Sequence, residues 1–174
     1  GIVRVFPDGR IAPSDSVFAL LPSVRSFLEI RDSVYLVGMH TGGLALYDSH
    51  THKLIKYNTR EEGSRKLYND QVSNIVKDRK GRIWIGTFGG GFCRFDEEKG
   101  IMEWLTAVEG LSDDNINSII PGDDGKLWIS TGNGISAYDP ESRQFTNYMG
   151  RSEIPVNEFS MKGGIKLPGD RIYF

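Results

Sequence analysis

One line of sequence recurs along the chain and limits what it can fold into. Asp78 to Asp96 reads D-R-K-G-R-I-W-I-G-T-F-G-G-G-F-C-R-F-D, Gly122 to Asp139 reads G-D-D-G-K-L-W-I-S-T-G-N-G-I-S-A-Y-D, and Asp32 to Asp48 reads D-S-V-Y-L-V-G-M-H-T-G-G-L-A-L-Y-D. Each joins a polar turn, a short apolar strand, a glycine turn and a second strand that closes on aspartate. Corresponding positions Leu36, Trp84, Trp128 and Tyr173 lie 48, 44 and 45 residues apart, and the closing aspartates Asp48, Asp96 and Asp139 lie 48 and 43 apart. A period of roughly 40 to 50 residues made of several short strands is that of propeller blades, whereas helical repeats of similar length would show a 3.6-residue period. The expected fold is therefore all-β, a β-propeller fragment of four-stranded antiparallel repeats of about 44–48 residues.

Taken in order, residues 1–23 read as the trailing strands of a blade, because Gly1–Phe6 aligns with the strands that follow the glycine turns. Residues 24–57, 72–105 and 115–148 each read as a blade. Residues 159–174 read as the leading strands of another, with an inner strand near Phe159–Leu167 and a second starting at Arg171. The connections between them are Asn58–Gln71, which is polar, Thr106–Asp114, which is turn-rich, and the linker Met149–Pro155. Within a strand, Ile83 and Ile85 point to the side opposite Trp84, as suits an element covered on both faces. An isolated arc of blades leaves two apolar end faces, and such surface marks association. Closure by the chain's own ends, self-association with a second copy, or the neighbouring blades and domains of a longer parent would each cover them. The reading favoured is a truncated parent propeller.

Bulk properties exclude several classes. A net charge of −2 with scattered Lys and Arg gives no basic patch for nucleic acid or an anionic membrane surface. The 21 glycines in 174 residues exceed the roughly 7% average usage and suit a chain that turns often. One cysteine, Cys93, excludes an internal disulfide. No apolar run approaches the ~18 residues of a membrane span, and the start lacks a signal pattern, so the chain is expected to be soluble as given and cut from a longer protein.

The lines Gly81–Asp96 and Gly110–Asp139 resemble the two-component regulator propeller repeat, with Trp84 and Trp128 at the family tryptophan and Leu36 and Tyr173 departing from it. The ending Asn157–Phe174 (N-E-F-S-M-K-G-G-I-K-L-P-G-D-R-I-Y-F) is similar to a segment late in such propellers. The resemblance implies a seven-bladed propeller in the periplasmic sensor region of a Bacteroidetes hybrid two-component system. In that family the propeller detects a glycan-derived oligosaccharide and signals across the inner membrane to a histidine kinase and response regulator.

The chemical inventory argues against an enzyme, and no cofactor or metal is expected. His50 and His52 sit in a turn, His40 is isolated, and a metal site needs further ligands. Cys93 aligns with Ala45 and Ser136, which indicates packing and not a nucleophile, since a nucleophile needs a positioned base. Gly89–Gly91 precedes no helix, so a phosphate loop is excluded. Asp113-Asp114 and Asp123-Asp124 read as turn and capping residues, and Trp84, Trp128 and Trp104 as packing residues. Propeller connectivity brings second-to-third-strand turns and blade connections to one face. The candidate ligand-binding residues are accordingly His40, Arg65, Asn69, Asp70, Phe88, Asp113, Asn115 and Asn133, with Phe88 a flat apolar surface for a sugar beside hydrogen-bonding side chains. Two other readings remain: a propeller enzyme similar to streptogramin lyase, which needs a clustered His/Glu/metal set, and a protein-binding scaffold.

Overall fold

The structure, a computed structural model, describes residues 3–5, 7–13, 16–150, 159–169 and 171–174. A hairpin of β1 (Val3–Val5) and β2 (Ile11–Pro13) comes first. Blade one follows as β3 (Val24–Arg31), β4 (Val34–Met39), β5 (Leu44–Asp48) and β6 (Lys53–Tyr57). Blade two is β7 (Val72–Lys77), β8 (Ile83–Thr87), β9 (Phe92–Asp96) and β10 (Gly100–Leu105). Blade three is β11 (Ile116–Pro121), β12 (Leu127–Thr131), β13 (Gly134–Asp139) and β14 (Gln144–Tyr148). In each blade the four strands pair antiparallel in chain order, and β15 (Ile165–Leu167) and β16 (Arg171–Tyr173) form a last hairpin. The all-β, four-stranded antiparallel architecture expected from the repeat is what the chain adopts.

Local chemistry sets the hairpins. The first turn of each blade ends on a left-handed residue, Ser33 (φ 64°), Gly81 (φ 79°) and Gly125 (φ 83°), a conformation that glycine adopts without steric cost and that Ser33 adopts as the exception. The closing aspartates share one task at the third turn. Asp48 Oδ1 accepts from the His50 and Thr51 amides, Asp96 Oδ1 from those of Glu98 and Lys99, and Asp139 Oδ1 from those of Glu141 and Ser142. These aspartate turns hold all three carboxyls below their ordinary pKa, chiefly through the Thr51, Lys99 and Glu141 amides respectively.

The core is a set of layers between sheets. Tyr35, Val37 and Tyr47 on the outer side of blade one meet Phe18 and Leu21, from and beside the 3-10 turn Ser16–Leu20. Leu36 and Leu46 face blade two, where they meet Val72, Ile83, Ile85 and Cys93. Trp84 and Phe92 face blade three and meet Ile116, Leu127, Ile129 and Tyr138. Alternation along one strand therefore serves two different layers, as the opposed Ile83/Ile85 and Trp84 require. Leu36, the departure from tryptophan, is fully buried. Close approach is set by Gly38 and Gly86: a Cβ on Gly38 would lie 2.5 Å from Val72 Cγ1, and one on Gly86 would lie 2.7 Å from Ile116 Cγ2.

Two expectations change, and one of the three ways of covering the end faces is not the one taken. The inner strand near Phe159–Leu167 is confined to Ile165–Leu167, because residues 161–162 form a turn with Lys162 at φ 58°; the Lys162 amide nevertheless reaches the Asn117 carbonyl at 2.8 Å. Trp128 is half-buried rather than enclosed like Trp84, since it faces away from blade two and stacks on Tyr148 at 5.9 Å. The two terminal hairpins stay separate two-stranded sheets and do not combine into one blade. Of the N-terminal strand Gly1–Phe6, positions 1, 2 and 6 lie outside the described residues, as do residues 151–158, which include most of the linker Met149–Pro155.

Blade two carries a polar anchor beneath its tryptophan. The Asp78 carboxylate, 4% exposed, accepts from Trp84 Nε1 at 3.0 Å, from Arg82 Nε at 2.6 Å, and from the Lys80 and Arg82 amides at 2.9 and 3.0 Å. Burial by itself raises its pKa, but the bonds from Trp84 and Arg82 outweigh burial and leave it below the ordinary value. At the matching position of blade three stands Gly122, whose Cβ would lie 3.0 Å from Trp128 Nε1.

This packing makes three substitutions informative. Gly86→Ala overpacks the seam between blades two and three, and urea unfolding should show a loss of about 1–3 kcal/mol. Asp78→Ala leaves the buried indole N–H without its acceptor and the Arg82 guanidinium with Glu141 alone, and should cost about 2–4 kcal/mol. Because the Asp78 pKa is lowered on folding, its contribution is fully present above the unfolded value of about 3.9 and is lost as pH falls through the folded value. Asp78→Asn, which keeps an acceptor oxygen, should unfold in acid with a shallower pH dependence, read by circular dichroism.

Candidate functional site

The connections and the second-to-third-strand turns meet on one face through main-chain bonds. Within a blade, the turn donates to the residue ahead of its inner strand: His40 N to Ser23 O, Phe88 N to Gln71 O and Gly132 N to Asn115 O, at 2.9, 2.9 and 3.0 Å. Between blades, the Gly43 amide reaches Asp70 O at 2.9 Å, and the Gly89 and Gly91 amides reach Asp114 O at 3.1 and 2.9 Å. A lattice of backbone bonds thus joins each blade's turn to the connection that leads into the next.

Acidic and amide side chains on this face tighten the connections themselves. Asp70 accepts from the Thr59 amide at 2.7 Å and its hydroxyl at 3.0 Å, which pins the start of the first connection to its end. Asp114 does the same for Ala107 N at 2.7 Å. Asn69 Oδ1 and Asp113 Oδ1 accept from the amides two residues on, Gln71 and Asn115, at 2.8 and 2.7 Å. The second connection also carries a capping box, in which Thr106 and Glu109 satisfy each other's backbone donors.

Seven of the eight candidate residues lie on this turn-and-connection face. His40 is half-buried, Asn133 is exposed with its amide 3.7 Å from Met149 Sδ, and Phe88 is 38% exposed and bridges to Asn115. Asn69, Asp70, Asp113 and Asn115 stand in the connections. Arg65 is placed elsewhere. It ion-pairs with Glu61 at 3.2 Å on the 3-10 turn Gly63–Arg65, which packs on β10 with Ser64 O against Gly100, the strand's first residue. The Phe88 turn meets β10 at its other end, where a Cβ on Gly91 would lie 2.4 Å from Leu105 O. Five strand steps at roughly 3.3 Å separate those ends by ~16 Å. Propeller connectivity places Arg65 with the other connection residues, but the path of a 14-residue connection is not encoded in spacing.

Sequence reasoning missed two features. Tyr68 stacks on Trp104 with centroids 4.4 Å apart and planes 7° apart, beside the Phe88 turn. The opposite face holds clefts between blades: one of 370 Å³ includes Lys77, Arg82, Arg94 and Glu97, and one of 350 Å³ includes Arg79, Asp123 and Glu141. Ion pairs bridge neighbouring blades there, Arg31–Glu97 at 2.7 Å, Arg82–Glu141 at 2.7 Å and Lys80–Glu141 at 2.9 Å, with Arg79 and Lys166 both on Asp123. Cys93 is fully buried, and burial pushes its thiol far up, so it is a packing residue and not a thiolate. His52 Nδ1 meets Tyr47 Oη at 3.1 Å. Among the described residues no three His, Cys, Asp or Glu side chains gather as a metal site, and no helix is long and apolar enough to cross a membrane.

Residues 69–89 and 110–133 match the family described as two component regulator propeller. No curated protein matches it. Among solved structures, the extracellular domain assigned to a hybrid two component system of Bacteroides thetaiotaomicron aligns with a TM-score of 0.61 and 27% identity, covering 84% of this chain and 18% of that one. A second such domain from the same organism gives 0.60 and 24% identity over 75% of this chain and 17% of its own. Virginiamycin B lyase of Staphylococcus aureus gives 0.61 at 16% identity over 98% and 61%, a likeness of fold alone. The chain is thus a propeller similar to extracellular domains of hybrid two-component systems, and spans less than a fifth of the two that it matches.

If the connection face is held as described, Asp70→Ala frees the Thr59 amide. Hydrogen exchange followed by mass spectrometry should then show faster exchange at Thr59 and its neighbours, with the amides of β7 and β8 unchanged.

Proposed function

We propose that this propeller segment is a non-catalytic part of the periplasmic sensor region of a hybrid two-component system. It senses a glycan-derived oligosaccharide, and the signal passes to a histidine kinase elsewhere in the parent protein. The observation that carries this reading is the 27% identity to an extracellular domain of such a system, maintained over 84% of the chain. The connection face supplies chemistry that fits a sugar: an exposed Phe88 ring for its apolar face, with Asn115 bridged to it and the Asn69 and Asn133 amides on the same rim.

A ligand shifts a signalling equilibrium only by the difference in its affinity for the two states. A sugar held at the Phe88 turn would touch a point where the main chains of two blades are bonded, through Asp114 O to Gly89 and Gly91. Any change in the angle between blades two and three alters that contact, which gives the differential affinity a physical origin.

The test is calorimetry on the extracellular region that contains residues 1–174, titrated with xylohexaose, mannohexaose, cellohexaose, arabinohexaose and tetragalacturonate. Binding of at least one is expected, weakened about tenfold by Phe88→Ala. No binding to any of them, with the region folded, would overturn the reading.

A further inference from the structure

We propose that Tyr68, backed by Trp104, is the stacking platform of the connection face, and that the saccharide it takes is uncharged. The inference rests on the sensor reading above and names the ligand class of that same site.

Tyr68 is the fourth residue from the end of the first connection, and its ring lies flat on Trp104 of β10, 7° from parallel. One face is thereby held against an indole that packs in turn on the layer between blades one and two. The remaining surface is open, with the residue 56% exposed. A large aromatic side chain normally hides more than this, and here the stacking fixes the ring plane while leaving it wet. Pyranose rings present a face of C–H groups that suits such a surface, and a ring already immobilised loses little rotamer freedom when a ligand arrives.

The platform is continuous with the candidate site. A Cβ on Gly90 would lie 3.0 Å from Tyr68 Cβ and 3.1 Å from Asn69 Cβ, so the turn that carries Phe88 is seated directly on the Tyr68–Asn69 segment. Two exposed rings, Tyr68 and Phe88, therefore flank one glycine turn, with the Asn69 and Asn115 amides beside Gly89. Two aromatic surfaces on one short turn suit more than one sugar residue, hence an oligosaccharide and not a monosaccharide.

Charge decides the class. The rim carboxylates are engaged with the protein itself: Asp70 with Thr59, Asp114 with Ala107, Asp113 with Asn115, and Glu109 with Thr106. Arg65, which would have recognised a carboxylate or sulfate, is paired with Glu61 toward the far end of β10. Lys66, exposed on the same connection, is the cation nearest in sequence, and an acidic probe tests its influence. Against the glycine turn itself stand the Tyr68 side chain and the Asn69 and Asn115 amides, with Phe88 on the turn, and rings and amides recognise hydroxyl groups.

The experiment is calorimetry on the same extracellular region, with xylohexaose, mannohexaose, cellohexaose and arabinohexaose as neutral probes and tetragalacturonate as the acidic one. Expected is binding of a neutral probe that is tighter than that of tetragalacturonate, weakened about tenfold by Tyr68→Ala, largely restored in Tyr68→Phe, and weakened by Trp104→Ala. Each variant's melting temperature shows that it is folded. Oligosaccharide binding that Tyr68→Ala leaves unchanged overturns the platform while the sensor reading stands. Preference for tetragalacturonate overturns the ligand class. Absence of binding to every probe overturns both proposals.

Discussion

Blade two has no hydrophobic core of its own. It is apolar on two sides, and each side is completed by a neighbour: Ile83 and Ile85 by blade one, Trp84 and Phe92 by blade three. The distance at which the sheets meet is set by Gly38 and Gly86, where any side chain would strike the inner strand of the next blade. Everything else is arranged around that face-to-face contact. The Asp78 carboxylate matters because it lets an indole enter the contact with its N–H satisfied, so that a buried Trp84 brings no polar cost into the layer.

The two ends of the blades solve the joining problem with different forces. On the hairpin face, charged side chains reach between blades, and Arg31–Glu97 and Arg82–Glu141 are exposed enough to be screened by salt. On the connection face the joints are main-chain bonds, which salt and side-chain substitution do not dissolve. A surface whose side chains vary is better supported by the second kind. The propeller places its adaptable residues where backbone, and not charge, holds the frame.

Much of the architecture was legible because its causes are local and repeat. Asp48, Asp96 and Asp139 recur because each closes the same turn, and the Trp84 position recurs because each faces the next blade. Reading failed where the cause was not local. Trp128 has the same sequence setting as Trp84 but a half-buried environment, since burial depends on what stands opposite and not on the strand itself. Arg65 and Tyr68 are three residues apart in one polar connection, and no spacing rule says that the first is led away along β10 while the second lies back on Trp104. Phe159–Leu167 has the residues of a strand, yet the left-handed Lys162 breaks it.

The bonds from Gly43 to Asp70 and from Gly91 to Asp114 use carbonyl oxygens, so they depend on where the chain runs and not on which side chain it carries there. That separates geometry from vocabulary. A residue such as Asn115 or Phe88 can be exchanged without unfastening the joint beside it, so the side chains of this face can vary while the mechanical link between blades stays the same. The side chains of such a surface are rewritten one letter at a time, with the fold left as the page on which they are written.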